Sequence, residues 1–264
     1  MTNRIDQLFE NLREKKQRAF VAYIVAGDPF MEKTVEIVLA LAGAGADVIE
    51  LGVPFSDPLA DGPVNQVGAQ RALEAGTTPQ TVLEIVRRVR EKSQIPLVLF
   101  SYYNPLHAQG FSKYLDEAEK AGVDGFLIVD LPMEEARKHW PKESSLRLIS
   151  LIAPTTPPDR VGTIVAQSSG FIYYVSREGV TGMQASLAQN LSSQVGAIRQ
   201  KTSLPVCVGF GISTPDQAKA VAAIADGVVV GSAIVNEIGK HGKSPELISR
   251  VKEFASALAR GVKG

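Results

Sequence analysis

Short apolar runs and amphipathic stretches alternate from one end of the chain to the other. The runs Phe20–Val25, Asp47–Leu51, Pro96–Phe100, Gly125–Val129, Arg147–Ile152, Gly170–Val175, Pro205–Val208 and Gly227–Val230 are rich in β-branched and aromatic residues and read as strands. Most are apolar at successive positions rather than alternate ones, as parallel strands covered on both faces must be. Between them apolar residues recur with a helical period. Val35, Val38, Leu39 and Ala42 form one stripe, Val82, Ile85, Val86 and Val89 another, and Leu247, Val251, Phe254 and Leu258 the last. Eight strands alternating with helices, without a linker-like stretch, predict one (β/α)8 (TIM) barrel domain over residues 1–264. An extra helix with Ile5, Leu8, Phe9 and Leu12 on one face opens the chain and is suited to plug the barrel floor. Additional helices are expected after strand two, over Val64–Glu74 with Pro63 at the first position, and after strand eight, over Ile234–Ile238. A doubly wound open sheet is the alternative, but no GxGxxG follows the first strand.

A weak internal repeat supports the barrel. Ala44-Gly45-Ala46-Asp47, Ala121-Gly122-Val123-Asp124 and Ala225-Asp226-Gly227 each join a helix end to a strand start through a small-residue turn and an aspartate. Asp47, Asp124 and Asp226 therefore fall at the strand N-terminal ends and read as turn and cap residues, because barrel chemistry sits at the opposite face.

Composition narrows the partners. The 264 residues are 45% hydrophobic, enough for a large core, and carry 28 basic and 28 acidic side chains. A chain with no net charge lacks the electrostatic footprint of a nucleic-acid or membrane-surface binder. The single cysteine, Cys207, lies in an apolar run and reads as a buried thiol, and one cysteine excludes a disulfide framework. No segment has the length and apolarity of a signal core or membrane span, so a soluble cytoplasmic protein is expected.

Candidate chemistry follows from the residues at the strand C-terminal ends. Strand seven ends in Gly209-Phe210-Gly211, and strand eight in Gly231-Ser232-Ala233 followed by a short helix. Glycine loops after strands seven and eight, with a helix N-terminus beside them, are where barrels bind phosphate. The loop Arg177–Gly182 after strand six is placed to close over the same corner. No strand end carries a lysine for Schiff-base chemistry, and His107, His139 and His241 are too scattered to hold a metal. Carboxylates remain. Glu50 ends strand two among Val48, Ile49 and Leu51, and burial among apolar groups raises a carboxyl pKa toward the range useful for giving and taking protons. Asp61 lies in the long loop that follows and either caps the next helix or points into the barrel mouth. Asp130, ending strand four, reads as structural. Tyr23, Phe100, Tyr102, Leu127, Tyr173 and Phe210 fall at or near strand ends, an aromatic and apolar excess that suggests a substrate with a flat apolar body.

The run Glu50-Leu51-Gly52-Val53-Pro54-Phe55-Ser56-Asp57-Pro58-Leu59-Ala60-Asp61-Gly62-Pro63 closely resembles the alpha subunits of tryptophan synthase, and the likeness extends over essentially the whole chain. It includes Ala26-Gly27-Asp28-Pro29, Tyr173 to Gly182, Val208–Ser213 and Val230–Val235. The resemblance implies a lyase that cleaves indole-3-glycerol phosphate to indole and glyceraldehyde 3-phosphate, with Glu50 and Asp61 catalytic. It implies an indole pocket of Tyr23, Phe100, Leu127, Tyr173 and Phe210, and a phosphate site of Gly182, Gly211, Gly231 and Ser232. Arg177 and Thr181 would belong to the closing loop. Phenylalanine is common in the family at the Tyr23 position, so the hydroxyl here needs a partner or a water. No metal and no cofactor are expected in this chain. Pyridoxal phosphate would belong to a beta subunit, joined in an αββα tetramer through Pro54, Asp57, Pro58 and the strand-three loop at Asn104 and Pro105.

Overall fold

Strands that are apolar on both faces can sit only between a packed interior and a shell of helices. The computed structural model, which describes residues 3–141, 143–176, 185–209 and 211–264, has that arrangement. β1 (Ala19–Val25), β2 (Val48–Gly52), β3 (Leu97–Ser101), β4 (Gly125–Ile128), β5 (Arg147–Ile152), β6 (Ile172–Val175), β7 (Val206–Gly209) and β8 (Gly227–Val230) close in chain order into a parallel barrel. Every neighbouring pair is parallel, including the closing β1–β8 pair. The expected strands are all present, two with the expected ends and the rest shifted by one or two residues.

The helices are α1 (Arg4–Glu14), α2 (Met31–Gly43), α3 (Pro63–Glu74), α4 (Pro79–Arg90), α5 (Tyr103–Ala108), α6 (Phe111–Ala121), α7 (Met133–His139), α8 (Pro158–Gln167), α9 (Ala185–Arg199), α10 (Pro215–Ala222), α11 (Ser232–His241) and α12 (Leu247–Lys263). Alternation along each strand divides the core in two. Val21, Val48, Val98, Leu127, Ile149, Cys207 and Val229 fill the barrel interior. Their neighbours, such as Phe20, Ile49, Leu99, Phe126 and Val228, pack outward against the helices. The floor is plugged by α1, which buries Ile5, Phe9 and Leu12 in the interior cluster and sets Phe9 5.7 Å from Phe171.

The three repeat aspartates do more than end turns. Each accepts the N–H of the first or second residue of the preceding strand: Asp47 from Phe20, Asp124 from Leu97 and Asp226 from Val206, at 2.7–2.9 Å. Each returns its own backbone N–H to the carbonyl of that same residue. Edge groups at the barrel floor are thereby satisfied, as buried backbone requires.

The segment after β3 corrects the expected loop at Asn104 and Pro105: it is the short helix α5. A contact from outside its own sequence supports its start: the Asp130 carboxylate after β4 accepts the N–H of Tyr103, the first helical residue, at 2.6 Å. Among the described residues no helix is long and apolar enough to cross a membrane.

Candidate active site

Val48 faces the barrel interior, so Glu50, two residues on, faces it as well. The side chain is 1% exposed, and its Oε1 has no hydrogen-bond partner. Burial raises the Glu50 pKa to about 8, because an apolar site disfavours the charged form. At neutral pH the group holds a proton that it can release.

Tyr23 stands beside Glu50 in the β1–β2 register and meets Phe100 edge-on at 5.2 Å. A Cβ at Gly52 would lie 2.4 Å from the Tyr23 hydroxyl, so glycine there is what admits the phenol. Burial, then the nearby Asp61 and Glu50 carboxylates, push the Tyr23 pKa well above its ordinary value. Burial likewise raises that of Tyr173. Both phenols stay neutral and can only donate or accept hydrogen bonds.

The structure removes the capping reading of Asp61, which is nonetheless not among the residues lining the cavity at the barrel mouth. Gly62, not Asp61, is the N-cap of α3, and Pro63 occupies the first turn. Asp61 instead accepts a 2.8 Å hydrogen bond from the Tyr102 hydroxyl at the end of β3. The same hydroxyl oxygen accepts the Ala60 N–H at 2.9 Å, so one phenol pins two residues of the loop. Burial raises the Asp61 pKa, while hydrogen bonding by Tyr102 and Asn65 acts against it by favouring the ionised form.

A cavity of about 260 Å³ opens here. Tyr23, Glu50, Pro63, Val64, Asn65, Phe100, Tyr173 and Val229 line it, with Gly211, Gly231 and Ser232 at its glycine-rich side. Gly231 is the N-cap of α11 and Ser232 its first residue, so unpaired backbone N–H groups and the positive helix end are presented there. Gly211 has φ +69°, a left-handed backbone that favours glycine.

The other expected residues divide. Leu127 is 1% exposed and packs in the interior cluster beside its register partner Phe100, and is not among the residues that line the cavity. Phe210, Arg177, Thr181 and Gly182 lie outside the described residues. Pro54 is buried within its own chain, whereas Asp57 and Asn104 are exposed and Pro58 is partly so; Leu59 beside them is 85% exposed. Asn65, Val64 and Val229 were not legible as lining residues. Asn65 sits in the first turn of α3, four residues after Asp61, and that spacing is a faint signal without the fold. Three larger or comparable cavities lie elsewhere among the described residues, one at the floor, one between β4 and β5 and one between α3 and α11, but none holds an unpartnered buried acid.

A parallel barrel whose mouth joins a proton-holding buried acid and a glycine-lined helix terminus, with a second carboxylate in the loop that follows β2, defines an acid–base enzyme for a small phosphorylated substrate. Comparison with known proteins narrows the class. The family model described as tryptophan synthase alpha chain matches residues 9–263. The tryptophan synthase alpha chains of Citrifermentans bemidjiense and Geobacter sulfurreducens are each 48% identical over 262 residues. These alignments cover 98% of this chain and 98% and 99% of those proteins. The crystal structure of tryptophan synthase subunit alpha from Legionella pneumophila str. Paris superposes with a TM-score of 0.89 at 36% identity over 99% of both chains. A chain of tryptophan synthase from M. tuberculosis gives 0.85 at 29% identity, over 99% of this chain and 100% of that one. The chain belongs to the tryptophan synthase alpha chain family.

Proposed function

We infer that the cavity at the barrel mouth is where this chain performs the reaction of its family. The chain is a lyase that cleaves indole-3-glycerol phosphate to indole and glyceraldehyde 3-phosphate in tryptophan biosynthesis. The observation that carries the assignment of groups is Glu50, a buried acid with an unpartnered oxygen in the cavity wall.

The leaving group is a ring carbon, so indole C3 must be protonated before the bond to the side chain breaks. Glu50, protonated at neutral pH, supplies that proton as general acid. Protonation leaves a cationic indolenine. Asp61 accepts a hydrogen bond from its N–H and stabilises the positive charge. The hydroxyl on the carbon bonded to C3 then loses its proton to a carboxylate. Glu50, having just given up its own, is basic enough in this apolar site to take it. The O–H pair becomes the aldehyde π bond, and the C–C pair returns to the ring, restoring neutral indole. Tyr23, Phe100 and Tyr173 flank the ring. The phosphate rests on Gly211, Gly231 and the α11 terminus at Ser232; by family likeness Gly182 is assigned to the same phosphate site, Phe210 and Leu127 to the indole pocket, and Arg177 and Thr181 to a closing loop.

The chemistry uses side chains alone and calls on no metal or cofactor in this chain. A beta partner carrying pyridoxal phosphate would receive the indole in an αββα complex. Asp57 and Pro58 belong to the catalytic loop itself and, like Asn104 after β3, reach the surface, whereas Pro54 is buried at the loop's start. A partner gripping it would order Asp61.

The test is indole release by the purified chain, alone and with a beta-type partner, for wild type and Glu50→Gln. The variant should lose about 10²–10⁴-fold in rate. Release unchanged in Glu50→Gln would remove Glu50 from the chemistry. Partner binding without any release by wild type would make the chain a scaffold.

A further inference from the structure

Two buried side-chain atoms among the described residues lack any hydrogen-bond partner: Glu50 Oε1 and Asn65 Oδ1. Both residues line the same cavity. A buried polar atom left unpaired costs on the order of 1–3 kcal/mol, and such atoms persist where a ligand completes them. The mechanism above uses Glu50 and leaves Asn65 over.

Which end of the Asn65 amide meets the cavity is fixed by its neighbour. The amide hydrogen-bonds with the Asp61 carboxylate, which accepts and cannot donate when ionised, so the NH2 end faces Asp61. Flipping the amide would set oxygen against oxygen. The carbonyl oxygen, on the same amide carbon as that NH2 group, remains an unused acceptor beside Asp61.

We propose that Asn65 is a substrate-binding residue whose carbonyl oxygen accepts, together with Asp61, the ring N–H of the substrate. The inference rests on the reading of the cavity as the indole-glycerol phosphate site. A single N–H shared between two acceptors is an ordinary three-centre arrangement. It suits a donor that gains positive charge during the reaction, because a neutral amide dipole adds stabilisation without a second buried charge next to Asp61. It also makes the site selective: a ring without a donor at that position would leave the Asn65 oxygen unpaired, and a buried acceptor built for a hydrogen bond rejects an analogue lacking it.

The test is calorimetric binding of indole-3-propanol phosphate, an inert analogue that keeps the ring N–H and the phosphate but lacks both hydroxyls. Asn65→Leu should weaken its binding about tenfold, the worth of one hydrogen bond. Because Asn65 also touches Asp61, the measurement is repeated in an Asp61→Asn background. A loss that persists there supports direct contact. A loss that vanishes there shows Asn65 acting only through Asp61 and overturns the proposal. So does an Asn65→Leu variant that binds the analogue as wild type does but handles the hydroxyl-bearing substrate poorly, which would assign the oxygen to a hydroxyl. Asn65→Leu variants are first checked for wild-type thermal unfolding. Failure of the wild-type chain to bind the analogue at all would strike at the site reading instead.

Discussion

Replacing Glu50 by glutamine should change how stability depends on pH, and the size of the change follows from burial. An unperturbed glutamate titrates near 4.5, whereas Glu50 in the folded chain titrates at about 8. Below pH 4.5 the group is protonated in both states and contributes no pH dependence. Between the two values the unfolded chain releases the proton and the folded chain keeps it, so wild-type stability falls as pH rises, by about 1.4 kcal/mol per unit. Above about 8 the folded group ionises too and the loss levels off. From pH 5.5 to 7.5 the wild type should therefore lose about 2–3 kcal/mol through this one residue. Glutamine has a similar shape and no proton to lose, so the variant escapes that slope. Urea unfolding of both proteins at pH 5.5, 6.5 and 7.5, with m-values compared to verify the two-state reading, isolates the effect. The gap between variant and wild type should widen steadily toward pH 7.5. A gap that stays constant across the three pH values would mean that Glu50 is charged at neutral pH, and its role as the acid that protonates C3 would fall with it.

Three further outcomes are expected. Tyr102→Phe removes the hydroxyl that holds both Asp61 and the Ala60 N–H; indole release should drop about tenfold or more through kcat, while stability falls by only about 1 kcal/mol, and an unchanged kcat would show that the loop needs no such pin. Arg71 forks onto the fully buried Asp28 at 2.8 and 2.6 Å, tying the end of β1 to α3; Arg71→Met leaves that carboxylate alone and should cost about 3 kcal/mol in denaturant unfolding, a loss under 1 kcal/mol arguing against a structural tie. Lys16 is the one non-glycine residue with positive φ among those described, at +53° just past the end of α1; Lys16→Gly should raise stability by about 1 kcal/mol, and a lower melting temperature would show that the lysine side chain supports the floor.

The sequence alone determined the barrel, because each strand and helix announces itself within a short window. Apolar runs of four to seven residues and stripes of 3.6 period survive any detail of packing. It also determined Glu50: a carboxylate between Ile49 and Leu51 in such a run has to be buried, and burial raises its pKa wherever the strand finally lies. The glycines ending β7 and β8 were legible for the same local reason. The direction of Asp61 was not. It hinges on Tyr102, 41 residues further along, which only the pairing of β2 with β3 brings within 2.8 Å. The hydrogen bond at the start of α5 comes from Asp130 in the loop after β4, a contact that only the pairing of β3 with β4 brings about. Asn65 reads in sequence as an ordinary polar residue of an exposed helix. Only closure of the barrel, by burying its oxygen beside Asp61 with nothing to bond, gives it something to do.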